Sequence, residues 1–171
     1  MSGNVYKVDL AHPQDELLEK AASYLKRGEA LIFPTDTVYG IGVAVANSST
    51  PDLLFEIKRR ERSLAIPWLI ANLGDLQFYG RNVRDYCKRM AEQLWPGPLT
   101  LVVEASDEVP EAFRGGDGTI ALRIPNSPVT LSLIETLGCP LATTSANIHN
   151  MGAVADGAEL DPRIMELVPM V

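Results

Sequence analysis

The apolar residues of this chain fall in short runs, most of them bounded by proline, glycine or a polar turn, with amphipathic stretches between them. Ala30 to Phe33 is halted by Pro34, and Ile41 to Ala46 resumes after a turn-rich loop. Ile66 to Ala71, Leu99 to Val103, Thr119 to Ile124 and Pro140 to Thr144 follow. Runs of this length read as strands. Between them, Asp15 to Arg27 carries the stripe Leu17, Leu18, Ala21, Ala22 and Leu25, with Gly28 as a natural stop for a helix. Thr50 and Pro51 read as an N-cap and first-turn proline, opening a helix with Leu53, Leu54 and Ile57 inward. Asn82 is expected to cap a helix to Leu94 that buries Val83, Tyr86, Met90 and Leu94, and Ser127-Pro128 opens another that ends at Gly138. Trp95-Pro96-Gly97-Pro98 fits neither helix nor central strand, because both prolines lack a donor and fix φ. The alternation predicts an α/β domain on a twisted, mostly mixed sheet flanked by helices. With 171 residues and no repeat or linker, residues 1–171 read as a single domain.

An apolar fraction of 46% with 22% charged residues is that of a folded chain, so disorder is not expected. No apolar stretch approaches the roughly 20 residues of a membrane helix. Met1 to Leu10 lacks the basic start and apolar run of a leader, so a cytoplasmic location without membrane contact is expected. Cys87 and Cys139 have no close Cys or His companion, which argues against a metal site or a disulfide framework. The net charge of −7 argues against a general nucleic-acid coat protein. The charge is uneven, however. Lys58, Arg59, Arg60, Arg62, Arg81, Arg84, Lys88 and Arg89 face only Glu61, Asp75 and Asp85 in their part of the chain. Such a region fits an anionic substrate, or equally a solvated basic face.

Three loops place polar or cationic groups at expected strand ends, where open α/β sheets bind ligands. Pro34-Thr35-Asp36-Thr37-Val38-Tyr39-Gly40 brings two hydroxyls, a carboxylate and a phenol together. No histidine stands beside Thr35 or Thr37 to activate it, so the loop suits a small polar substrate, or a capped turn. In Lys58-Arg59-Arg60-Glu61-Arg62-Ser63, Lys58 and Arg60 would face apart on a helix but share one side of an extended segment. They could grip phosphate, or simply decorate a helix C-terminus. Thr143-Thr144-Ser145-Ala146-Asn147 offers small hydroxyls and an amide to a ribose or phosphate, or forms an ordinary polar turn.

In this order the blocks Pro34-Thr-Asp-Thr-Val-Tyr-Gly40, Lys58-x-Arg60, Trp95-Pro-Gly-Pro-Leu-Thr100, Ala121-Leu-Arg-Ile-Pro125 and Thr144-Ser-Ala-Asn147 resemble the YrdC/Sua5 (TsaC) family of threonylcarbamoyl-AMP synthases. The resemblance spans roughly residues 17 to 147. It implies a YrdC/RibB-like fold with a large concave, positively charged cleft. The implied reaction is ATP-dependent: L-threonine and bicarbonate or CO2 give a carbamate, which attacks the α-phosphorus of ATP and expels pyrophosphate. The product, L-threonylcarbamoyladenylate, would feed the N6-threonylcarbamoyladenosine modification of tRNA. By the same resemblance Thr35, Tyr39, Arg123 and Thr143 belong to the threonine side of the cleft. Lys58 and Arg60 are the catalytic cations, and Lys58, Arg60, Ser145 and Asn147 hold the nucleotide. Mg²⁺ would accompany ATP, and tRNA and a downstream threonylcarbamoyl-transferase are the further expected partners. The bare residues agree on one point: a carbamate needs no side-chain nucleophile, and none is offered, so positioning and electrostatics must carry the chemistry.

The sequence departs from the family pattern in places. His149 stands where a small serine is usual, Arg59 replaces a glycine and Glu61 a proline. The family's closing strand with its Ser-Thr-Val-type motif is not seen before Val171, where the chain reads as helical instead. Two rival readings remain open at this level. One is a non-catalytic module for double-stranded RNA or tRNA, which steep salt dependence would reveal. The other is a different carbamoyl- or sugar-phosphate enzyme on the same fold.

Overall fold

A computed structural model describes residues 4–45, 51–58, 66–148 and 151–171, and the backbone alone at Lys58. Seven strands form one sheet: β1 (Leu31–Phe33), β2 (Gly40–Ala44), β3 (Trp68–Leu69), β4 (Gly80–Arg81), β5 (Leu101–Ala105), β6 (Thr119–Arg123) and β7 (Leu141–Ser145). Their order is β1-β2-β7-β3-β6-β5-β4. Only β3 and β6 run parallel, so the sheet is mixed as the alternation predicted. The helices are α1 (Asp15–Lys26), α2 (Asp52–Lys58), α3 (Asp75–Tyr79), α4 (Asp85–Leu94), α5 (Pro128–Leu137) and α6 (Pro162–Met165).

The pleat divides the core into two layers. Leu31, Phe33, Leu69 and Leu141 point to the side covered by α1 and α5, where Leu18, Ala21, Ala22, Leu25, Leu133, Ile134 and Leu137 meet them. Ile32, Ile41, Val43, Trp68, Leu101, Val103, Ile120, Leu122 and Ala142 point to the other side. There α2 supplies Leu54 and Phe55, α4 supplies Cys87 and Ala91, and Leu160, Ile164 and Val168 complete the cover. This alternation is the period of two that a strand imposes on its side chains. The α1/α5 layer reaches only part of the sheet, and on β5 the alternate residues Val102 and Glu104 are exposed. That uncovered ground is where a ligand can approach.

The local signals for α1 and α5 are met in the structure. Gly28 and Gly138 follow the two helices in the left-handed region, at φ 84° and 80°, a conformation that favours glycine. Ser127 Oγ accepts the Thr130 amide at 3.3 Å, and Pro128 occupies the first turn. The same corner anchors the loop after β1, because Thr130 Oγ1 lies 2.8 Å and Ser127 Oγ 3.3 Å from the Pro34 carbonyl.

Other expectations need correction. The helix before the Trp95 block begins at Asp85 rather than at Asn82, whose φ of 51° takes it out of the helix. It buries Cys87 and Ala91, whereas Tyr86, Met90 and Leu94 are exposed. The pair and the triplet both step by four residues, so periodicity admits either face. The smaller side chains let the helix approach the sheet closely, and Val83 packs against the core from outside the helix. α3 and β4 were not foreseen, and β3 is shorter than the run Ile66 to Ala71. At the C-terminal end the helical reading reduces to the single turn α6, capped by Asp161. Beyond α6 the chain passes the edge of β1, with the Ile32 amide donating to the Met170 carbonyl at 3.2 Å. Thr50 lies outside the described residues. Among the described residues no helix is long and apolar enough to cross a membrane.

Ser127→Ala removes the cap of α5 and one of the two hydroxyls on the Pro34 carbonyl. It should lower stability by about 1 kcal/mol in urea denaturation. An unchanged midpoint would show that this corner contributes nothing.

Candidate active site

The cavity is built on the α1/α5 side of the sheet, just past the edge of that helical layer. Strand register puts its floor on one face. Gly40 pairs with Ser145, Gly42 with Thr143, and Leu69 with both Leu141 and Arg123. Residues paired in this way turn their side chains to the same side of the sheet. Gly40, Leu69, Arg123, Thr143 and Ser145 therefore converge, and Thr35, Thr37, Thr100 and Thr144 join them around about 230 Å³ of space for water centres. The wall is rich in hydroxyls, and Val38, Pro67 and Leu69 give it an apolar side.

Depth comes from the glycines of β2. A methyl at position 40 would stand 2.8 Å from Thr143 Cγ2, and one at position 42 would stand 2.8 Å from Thr143 Oγ1. Contacts that short are not tolerated, so glycine lets Thr143 lie flat against the neighbouring strand. Thr143 is thereby buried, with its hydroxyl donating to the Leu141 carbonyl at 3.2 Å.

Thr35 closes the loop after β1 upon itself. Its Oγ1 donates to the Val38 carbonyl at 2.7 Å and accepts from the amides of Thr37 and Val38 at 3.2 and 3.3 Å. Such a turn, held by a side-chain hydroxyl, is the local structure that Thr-Asp-Thr favours. The hydroxyl of Thr35 is thus both a wall group and a structural one.

Arg123 joins three segments. Its Nε donates to the Gly97 carbonyl at 3.0 Å, one terminal nitrogen to Thr37 Oγ1 at 3.3 Å, and the other to Asp36 Oδ1 at 2.5 Å. The side chains of Arg123 and Asp36 are only 13% and 12% exposed, so the pair is largely withdrawn from water. The turn containing Gly97 follows a cis Trp95-Pro96 bond. It is stitched to the end of β6 by the Gly97 amide on the Ile124 carbonyl at 2.9 Å, and Trp95 Nε1 donates to the Leu99 carbonyl at 2.7 Å. A Cβ on Gly97 would meet the Leu94 carbonyl oxygen at 2.5 Å, so this approach also requires glycine.

Of the residues expected at the site, Thr35, Arg123, Thr143 and Ser145 share the cavity. Asn147 stands one step behind it, with Ser145 Oγ donating to its Oδ1 at 2.6 Å and its own Nδ2 on the Ile148 and Met151 carbonyls. Tyr39 is placed differently from the expectation. It has the parity of Ile41 and Val43, packs against the core on the opposite layer, and sets its phenol beside Gly157. The side chain of Lys58 lies outside the described residues, as do Arg59, Arg60, Glu61, Arg62, Ser63 and His149. Arg81 sits on β4, Arg84 at the N-cap of α4, and Lys88 and Arg89 on α4, at the sheet edge away from the cavity, with Arg81 paired to Asp107 and Lys88 to Asp85. Asp36, Thr37, Thr100 and Thr144 lay inside the recognised blocks without a role of their own, while Pro67 and Leu69 carried no signal beyond their place on a strand.

A family model, Sua5/YciO/YrdC, described as telomere recombination, matches residues 23–171. The chain is 36% identical over 128 residues to the threonylcarbamoyl-AMP synthase of Pyrococcus abyssi, covering 75% of this chain and 38% of that protein. It is 32% identical to the Bacillus subtilis protein of the same name, covering 90% of this chain and 46% of that one. For the Pseudoalteromonas translucida protein of that name the identity is 30%, covering 86% and 80%. The chain thus spans less than half the length of the first two relatives. Among solved structures, P. abyssi Sua5 complexed with L-threonine superposes with a TM-score of 0.84 at 30% identity, covering 91% of this chain and 46% of that one. E. coli YciO superposes at 0.87 with 23% identity, covering 96% and 80%, a likeness of fold. With the family model matched over residues 23–171, and four of the five motif blocks contributing residues to one cavity, this chain belongs to the Sua5/YciO/YrdC family.

Proposed function

We propose that the chain makes L-threonylcarbamoyladenylate from L-threonine, bicarbonate or CO2 and ATP, with release of pyrophosphate. The observation that carries this reading is the convergence of Thr35, Thr37, Thr100, Thr143, Thr144, Ser145 and Arg123 on one cavity with an apolar side. A small amino acid with a hydroxyl and a methyl on its side chain, and a carboxylate at its other end, has a partner there for each group. Support also comes from the shared name of the relatives and from the threonine complex of P. abyssi Sua5.

In this reading Arg123 faces the threonine carboxylate, while Thr35 and Thr143 shape the nook for the side chain. The neutral amine adds to CO2 and gives up a proton to water, forming a carbamate. A carbamate oxygen then bonds to the α-phosphorus as the bond from that phosphorus to the bridging oxygen breaks. Pyrophosphate leaves with the electron pair. Ser145, beside Asn147, marks the nucleotide side, and Lys58 and Arg60 are proposed to meet the phosphate charge that builds in the transition state. Mg²⁺ is proposed to accompany ATP. It would neutralise phosphate charge there. The product is proposed to pass to a transferase that modifies a tRNA adenosine.

The direct test is pyrophosphate release by the purified chain with ATP, Mg²⁺ and bicarbonate, with and without L-threonine. Release that depends on threonine is expected, and threonine-independent or absent release contradicts the reading. Lys58→Ala and Arg60→Ala should each cut turnover by roughly a hundredfold or more with circular dichroism unchanged. Unimpaired turnover in both would remove the proposed phosphate site.

Thr35→Ala should raise the KM for threonine more than that for ATP, and Thr35→Ser, which keeps the hydroxyl in the turn, should restore most of the loss. An equal rise in both constants would mean that Thr35 only holds the loop.

A further inference from the structure

We infer that Asp36 is a positioning residue that aims Arg123 at the carboxylate of the amino-acid substrate. The inference rests on the proposed function for the identity of that substrate. Its structural basis is independent. Arg123 lines the cavity, whereas Asp36 does not. The carboxylate of Asp36 holds one terminal nitrogen of the guanidinium at 2.5 Å without being one of the cavity's lining groups.

The guanidinium has five N–H donors in a rigid plane. Three of them are engaged: Nε with Gly97, one terminal nitrogen with Thr37, and the other with Asp36. Three acceptors on separate nitrogens define the plane of the group, and its remaining two N–H bonds then have fixed directions. The Gly97 carbonyl and the Thr37 hydroxyl are neutral and are held at 3.0 and 3.3 Å. Asp36 makes the shortest of the three contacts and is the one anionic acceptor among them. Loss of Asp36 leaves a long side chain on two weaker tethers, free to swing toward water.

Two effects oppose each other here. A carboxylate beside Arg123 offsets some of the positive charge that the substrate would feel. It also orders the side chain before the substrate arrives, so that this cost is not paid on binding. Both side chains are mostly covered, and an unpaired guanidinium there would be drawn out of place, so ordering is the larger effect.

The prediction is selective in a way that general loosening is not. Ligand-observed NMR titrations of the full chain with L-threonine and with L-threoninamide, which lacks the carboxylate, give the reading. Asp36→Ala should weaken L-threonine by roughly tenfold or more while leaving L-threoninamide unchanged. Asp36→Asn, which keeps an acceptor without the charge, should fall between wild type and Asp36→Ala, and it serves as the test variant if Asp36→Ala does not fold. Equal weakening of both ligands would reduce Asp36 to a structural role, and tighter threonine binding would make it a competitor of the substrate. Either result overturns the inference, as does no change in either ligand. Wild-type protein that binds neither ligand would instead overturn the threonine reading itself.

Discussion

The guanidinium of Arg123 is the contact on which the site depends. It reaches from the last residue of β6 to the Gly97 turn and to Asp36 and Thr37 in the loop after β1. These segments are far apart in sequence, and Arg123 ties them to one another in addition to the contacts that hold each of them to its own neighbours. A largely covered ion pair is weak evidence for net stability, but breaking one costs about 3–5 kcal/mol because a charge is left without a partner. The pair therefore acts as a condition: the loops are either all in register around Arg123 or the structure bears an uncompensated charge.

The remainder of the cavity follows from what the sheet leaves out. α1 and α5 cover one side of the strands only in part, and β2 places glycine at positions 40 and 42, against Thr143 of the neighbouring strand. Without Cβ atoms there, Thr143 of the adjacent β7 can lie against β2, and Ser145 follows it on the same face. Among the described residues the result is a floor of backbone and small hydroxyls with the Arg123 guanidinium at its side. Such a surface recognises hydrogen-bonding shape more than bulk. Its chemistry is that of positioning, since no described side chain at the cavity is a base poised to activate a nucleophile.

Much of the fold was legible because its signals are local. Gly28 and Gly138 stop helices by their backbone freedom, and Ser127-Pro128 starts one by its cap. The face of α4 was not legible, since Tyr86-Met90-Leu94 and Cys87-Ala91 have the same spacing and only the packed sheet chooses between them. The two-residue strands β3 and β4 carry too little pattern to be seen. At the site, motif blocks named Thr35, Arg123, Thr143 and Ser145, but their meeting depends on β7 lying between β2 and β3, a long-range order that no period encodes. Tyr39 could have been placed correctly: it lies an odd step from Gly40, hence with Ile41 and Val43 on the core side. Asp36 was legible as a residue and not as a partner, because Arg123 is distant in the chain.

The central claim is that one hollow, framed by the loop after β1, the Gly97 turn and the ends of β6 and β7, receives the amino acid. An ¹⁵N-¹H correlation titration of the chain with L-threonine tests it most directly. The account predicts amide shifts clustered at residues 35–40, 97–100, 122–124 and 143–146. Shifts centred instead on α4 and β4, or none at saturating threonine, would contradict it.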